Sequence, residues 1–190
     1  MTANTATVPH RHRISTAEYH RMGEAGILSE DDRVELIEGE IIDMTPVGSK
    51  HAACVSRLNR IFVRTTDLLV RIQDPVRLKN DSEPQPDLAL VKFREDGYAD
   101  YHPGPEDILL LIEIADTSLN YDRSIKIPLY ARHNIPECWL LDLEKKTVEV
   151  FRDPSTEGYQ KEMYFGQAET IRPLLCPDVE IRLPGLFLSF

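Results

Sequence analysis

Asp107-Ile108-Leu109-Leu110-Leu111-Ile112-Glu113-Ile114-Ala115 decides the fold, because it is the most apolar strand-like run in the chain's 190 residues. A strand with one wet face alternates apolar and polar residues, whereas a strand covered on both faces reads as nearly continuous apolar sequence. This run therefore predicts a central strand with helices packed over the sheet. One charged residue, Glu113, stands in its second half. A carboxylate placed there loses its hydration and must be paired or coordinated.

The flanking segments build a sheet around that strand. Downstream, the Asp122 to His133 region is helical, and a late start near Ser124 to Ile125 would put Pro128 close to the first turn, where proline is tolerated. Glu137-Cys138-Trp139-Leu140-Leu141-Asp142 is the next strand. Thr147 to Phe151, Tyr159 to Phe165 and Val179 to Leu183 are shorter strands separated by Asp-Pro, Glu-Gly and Cys-Pro-Asp turns. Upstream, Pro86 to Val91 is a short, mostly apolar strand, and Leu69 to Leu78 is a strand interrupted at Pro75. From His51 to Asp67, Val55, Leu58, Ile61, Phe62 and Thr65 recur at spacings of three and four, an amphipathic helix. Arg33 to Met44 alternates around Gly39 as a strand or tight hairpin, and Ser15-Thr16-Ala17-Glu18 is a capping box opening a helix that ends near Gly23 or Gly26. The order predicts an α/β (α+β) fold: a mixed sheet flanked by helices, one domain over 15–190 behind a flexible tail over 1–14.

Composition narrows the classes. An apolar fraction of 42% with 28% charged residues belongs to a globular protein rather than a disordered or fibrous one. No apolar run approaches the roughly 18 residues needed to span a bilayer, and Met1 to Arg13 lacks the apolar stretch of a secretory signal. The expectation is a cytoplasmic protein with no membrane segment. Cys54, Cys138 and Cys176 are far apart, which predicts buried or half-buried free thiols in a reducing compartment. The net charge of -10 argues against nucleic-acid binding by bulk electrostatics. Such binding would need a local basic surface, a partner, or a metal ion that reverses the charge of a carboxylate cluster.

The residues suited to that last device are few. Besides Glu113, Pro86-Asp87 places a carboxylate at a strand start, Glu38 stands just before Gly39, and Lys126 falls in the first turn expected for the next helix. Two or three carboxylates and a lysine meeting at a sheet edge are what metal-assisted phosphodiester cleavage requires. The carboxylates supply hard oxygen ligands for Mg²⁺ or Mn²⁺, the ion activates a water, and the ammonium stabilises developing charge. The same spacing also fits Asp87 as a turn cap, Glu113 paired with an arginine, and Lys126 in solvent.

Four blocks carry a resemblance: Val34-Glu35-Leu36-Ile37-Glu38-Gly39-Glu40-Ile41; Pro86-Asp87-Leu88-Ala89-Leu90-Val91; Ile112-Glu113-Ile114-Ala115-Asp116-Thr117-Ser118 followed by Tyr121-Asp122-Arg123; and Lys126-Ile127-Pro128-Leu129-Tyr130-Ala131 continuing through Ile135-Pro136-Glu137-Cys138-Trp139-Leu140-Leu141-Asp142. In this order and spacing the chain resembles the Uma2 family, restriction-endonuclease-like proteins of the PD-(D/E)XK nuclease superfamily, over about Ser15 to Phe190. The resemblance implies an endonuclease that hydrolyses DNA through a metal-activated water, with Mg²⁺ or Mn²⁺ as cofactor. It makes Asp87 the metal-binding aspartate and Glu113 the acidic residue of the second motif. The motif lysine expected two residues after Glu113 is absent, since Ala115 stands there. The resemblance points to Lys126 as its migrated replacement and to Glu38 as the acidic residue of the N-terminal segment. The alternative reading is a non-catalytic binding or accessory protein on the same fold.

Other residues are weighed less. His51, Gln85, Ser118 and Asp122 border these motifs, with helix-start, turn and capping roles as their plainer readings. His10, Arg11, His12 and Arg13 could contact phosphates, although a basic tip on a tail is usually just solvated. Trp139 and Tyr130 are expected in the core. A homodimer is expected, as two cuts need two sites, with Phe165, Leu186, Phe187 and Phe190 offering apolar surface.

Overall fold

The computed structural model describes residues 11–29 and 31–187. His10 and Phe190, named above, lie outside the described residues. In chain order the elements are α1 (Thr16–Glu24), β1 (Val34–Ile37), β2 (Glu40–Asp43), α2 (Ser49–Thr65), β3 (Leu69–Ile72), β4 (Leu88–Val91), β5 (Ile108–Ala115), α3 (Leu119–Tyr121), a π-helical turn (Asp122–Lys126), α4 (Ile127–Arg132), β6 (Glu137–Asp142), β7 (Thr147–Ser155), β8 (Gly158–Phe165), β9 (Thr170–Ile171), β10 (Ile181–Arg182) and α5 (Leu183–Leu186). Six strands form one mixed sheet in the order β3-β4-β5-β6-β7-β8, with β5 and β6 parallel and the other pairs antiparallel. The predicted apolar strand is interior to it. The β1–β2 hairpin and the β9–β10 pair form separate two-stranded sheets.

The double cover inferred from the apolar run is present. Leu110, Ile112 and Ile114 pack with Leu58 and Phe62 of α2, while Leu111 and Ala115 pack with Leu129 and Tyr130 of α4. Strand alternation gives Glu113 to the second face. The capping box predicted at Ser15 forms, with the Ser15 side chain accepting from Glu18 N–H and Glu18 accepting from Ser15 N–H at 2.9 Å. Gly39 (φ +79°) is required twice over, since a Cβ there would also stand 2.6 Å from Arg13 Cβ.

The helix before β6 begins at Leu119, not near Ser124, and Pro128 lies inside it. Ile127 N–H donates to Asp122 O, five residues back. The wider turn relaxes the proline ring's clash with the preceding carbonyls, so the helix continues instead of starting late. Nor do Leu186 and Phe187 offer dimer surface: they are 1% and 4% exposed within the core, and Phe165 packs against the same cluster. Leu186 and Phe187 pack instead in the core cluster that α2 forms with the sheet. No helix among the described residues is long and apolar enough to cross a membrane.

Candidate active site

Lys126 ends the π-helical turn and Tyr130 follows four residues later, so both side chains reach the face of β5 that carries Glu113. Lys126 Nζ lies 2.9 Å from Glu113 Oε1, and the Tyr130 hydroxyl donates to the same oxygen at 2.5 Å. A second carboxylate, Glu35 in the middle of β1, has its Oε2 3.3 Å from Lys126 Nζ. That oxygen also accepts the Gln85 N–H at 3.0 Å. All three charged side chains are nearly inaccessible, at 5% for Lys126 and 4% for each carboxylate.

Burial sets the electrostatics. It drives the Glu113 carboxyl well above the usual carboxylate range; Lys126 opposes the shift, while Asp122 and Asp87 add to it. Burial alone would pull Lys126 down, but Glu113, Glu35 and Asp122 more than reverse it and hold the ammonium charged. Asp122, raised by its own burial, accepts the Ser118 hydroxyl at 2.6 Å and adds to the field around Lys126.

Asp87, at the entry to β4, joins this cluster through the backbone. Its Oδ2 accepts the Ile114 N–H at 2.8 Å, one residue beyond Glu113, and lies 2.9 Å from His51 Nε2. Its Oδ1 accepts from Gln73 Nε2 at 3.1 Å. His51 belongs to the first turn of α2, and its Nδ1 is buried without a partner among the described residues. Gln85 touches the cluster with its main chain: Lys126 Nζ approaches Gln85 O at 3.4 Å, while the Gln85 side chain donates to Val34 O.

All of these groups but Tyr130 and Val34 line a cleft of about 360 Å³. Among the described residues, six carboxylates, Glu35, Asp43, Asp87, Glu113, Asp116 and Asp122, line it against two permanent cations, Arg33 and Lys126. Such an excess of hard oxygen donors suits a divalent cation. Among the described residues, however, no three His, Cys, Asp or Glu side chains already stand together as a metal-ligand set. Both Asp87 oxygens are taken by the chain's own donors.

Asp87, Glu113 and Lys126 therefore meet in one cleft, and Glu38 does not. Glu38 occupies the turn of the β1–β2 hairpin at φ +47°, where the chain leaves strand register. Its carboxylate is 2.7 Å from Arg132 Nη2 and half exposed. Glu35, three residues earlier and inside β1, takes the position expected for Glu38. The signal for Glu35 was in the sequence, since a carboxylate inside Val34-Glu35-Leu36-Ile37 faces the same desolvation as Glu113. Tyr130 is in the core as expected, but its hydroxyl also anchors Glu113; Gln73 carried no sequence signal. Arg11 and His12 pair with Glu40 and Glu18, and Arg13 donates to Glu38 O, all away from this cleft. Trp139 is fully buried.

The Uma2 family model, described as "Putative restriction endonuclease", matches residues 16–184. No curated protein matches the chain. A solved structure, "a putative nuclease belonging to DUF820 from Anabaena variabilis ATCC 29413", superposes with a TM-score of 0.73 at 20% identity, covering 92% of this chain and 97% of that one. At that identity the likeness establishes a shared fold.

Proposed function

Because the chain belongs to the Uma2 family, we propose that it is a divalent-metal-dependent endonuclease hydrolysing DNA phosphodiester bonds, with Asp87, Glu113, Lys126 and Glu35 as its working residues. The observation that carries this reading is the buried Lys126 ammonium held between Glu113 and Glu35 in a cleft that Asp87 also lines. A structural ion pair has no need of a cleft, of a second buried carboxylate, or of four more acidic groups around it.

In this reading Asp87 and Glu113 would hold Mg²⁺ or Mn²⁺, and one of the Asp87 contacts to His51 or Gln73 would yield to it. The ion supplies a more acidic bound water and neutralises phosphate charge. The chain's own residues do the rest. Lys126, kept protonated by its neighbours, offers a fixed cation to the charge that develops on the phosphate, in a site poor in competing water. Glu35 and Tyr130 are positioning residues: one holds the Lys126 side chain, the other orients the Glu113 carboxylate. A homodimer acting on two strands belongs to the same proposal, with its interface elsewhere than Leu186 and Phe187. The free thiols Cys54, Cys138 and Cys176 suit a cytoplasmic location.

Calorimetric titration with Mn²⁺, run beside cleavage of supercoiled plasmid, tests the proposal. Wild type is expected to bind the ion and cut, Lys126→Ala to bind without cutting, and Asp87→Ala to do neither. One observation favours a second reading, a non-catalytic nuclease-fold binding protein: the Asp87 oxygens are already satisfied by His51, Ile114 and Gln73. Wild type that neither binds Mn²⁺ nor cuts would decide for it.

A further inference from the structure

We propose that Arg33 is the phosphate-binding residue at the mouth of this cleft, contacting the backbone of duplex DNA; the inference rests on the nuclease reading above. Of the two permanent cations lining the cleft, Lys126 is buried and already shared between Glu113 and Glu35. Arg33 is exposed. Its main-chain carbonyl accepts the Met44 N–H at 2.8 Å, which fixes its Cα on the hairpin two residues before Glu35. Among the described residues no hydrogen bond or ion pair engages its guanidinium, although Asp31 and Asp32 flank it in sequence and Asp43 lines the same cleft. Asp32 instead accepts from Ser29 N and Oγ, at 2.7 and 2.9 Å. By contrast Arg123, Arg132 and Arg152 are each neutralised by a glutamate. A chain of net charge -10 with six carboxylates in its cleft repels a polyanion, so an approaching phosphate needs a cation that is not already spent. A guanidinium suits the task, because its planar fork matches two phosphate oxygens.

The test is fluorescence anisotropy of a fluorescein-labelled DNA duplex titrated with the full chain in Ca²⁺ buffer over a series of NaCl concentrations. Losing one phosphate contact lowers the slope of log K against log[salt] by about 0.9, which is about eightfold in affinity at ~0.1 M salt when the lines converge at ~1 M. Arg33→Ala is expected to show both changes with an unaltered melting temperature. Arg33→Lys should restore the slope and only part of the affinity. Arg33→Ala with wild-type affinity and slope overturns the inference and leaves the nuclease reading standing. Weaker binding with an unchanged slope and a lowered melting temperature marks a structural role and overturns it too. Wild type that binds no duplex removes both proposals together.

Discussion

Replacing Lys126 with methionine removes the one cation from between two buried carboxylates while keeping most of the side chain's volume. Lys126 is 5% exposed and Glu113 and Glu35 are 4% each, so water cannot take over its role. Breaking a buried pair from one side costs about 3–5 kcal/mol, because the partner charge is left behind. Glu113 keeps the Tyr130 hydroxyl and Glu35 keeps the Gln85 N–H, which holds the loss within that range rather than above it. Protonation gives the variant an escape. The Glu113 carboxyl is already raised by burial, and loss of Lys126, which opposes that shift, raises it further. A carboxyl raised in the folded state binds more protons there than in the unfolded chain, so stability falls as pH climbs from the ordinary glutamate value of about 4.3 through the raised one. Lys126→Met is therefore expected to lie about 3–5 kcal/mol below wild type near pH 8 and to regain part of the difference toward about pH 5. In a chain of this size that corresponds to roughly 6–20 °C in Tm at the higher pH. Urea denaturation followed by the fluorescence of the single, fully buried Trp139 measures it. Adding Glu113→Gln to Lys126→Met should recover stability at pH 8 and flatten the pH dependence. A single variant within about 0.5 kcal/mol of wild type at pH 8, or a loss independent of pH, would refute the account of a buried charge cluster.

Glu35→Gln and Glu38→Gln separate the two carboxylates of the hairpin. The first should lower plasmid cleavage by roughly 10²-fold or more, through loss of Lys126 positioning. The second removes only a half-exposed pair with Arg132 and should change stability by less than about 1 kcal/mol, with cleavage rates as wild type. Tyr130→Phe takes one donor from Glu113 and should cost about 1–2 kcal/mol by urea denaturation, with cleavage slowed and Mn²⁺ affinity retained in calorimetry. Leu186→Ala should cost about 2–5 kcal/mol without altering the sedimentation coefficient of the folded protein, because Leu186 belongs to the core and not to a subunit interface.

A single rule, that a charge inside an apolar run needs a partner, locates most of this site from sequence. It selects Glu113 in Leu111-Ile112-Glu113-Ile114 and, applied evenly, Glu35 in Val34-Glu35-Leu36-Ile37 and Lys126 in Ile125-Lys126-Ile127. Glu38 is favoured instead by its place before Gly39 in the hairpin and by the family resemblance, and the turn geometry of Glu38-Gly39 overrides that placement. The sheet was legible for the same local reason, as apolar periodicity survives in any strand long enough to show it. The helix start was not. Reading Pro128 as a first-turn residue follows a local rule, whereas the helix runs through it by way of the π-helical turn, whose ends Asp122 and Lys126 both line the cleft. Contacts such as His51 to Asp87 depend on how α2 crosses the sheet, and no local pattern encodes that crossing. What the pattern does encode is a charge balance. β1, β5 and the π-helical turn bring two carboxyl groups to a single ammonium, before Asp87 and Asp122 are counted. The fold can bury these three groups only together, so the residues that specify its packing also leave a deficit of positive charge facing the cleft. A divalent cation meets that deficit without disturbing Lys126, which is why the same cluster that makes structural sense as an ion triad makes chemical sense as a metal-dependent site.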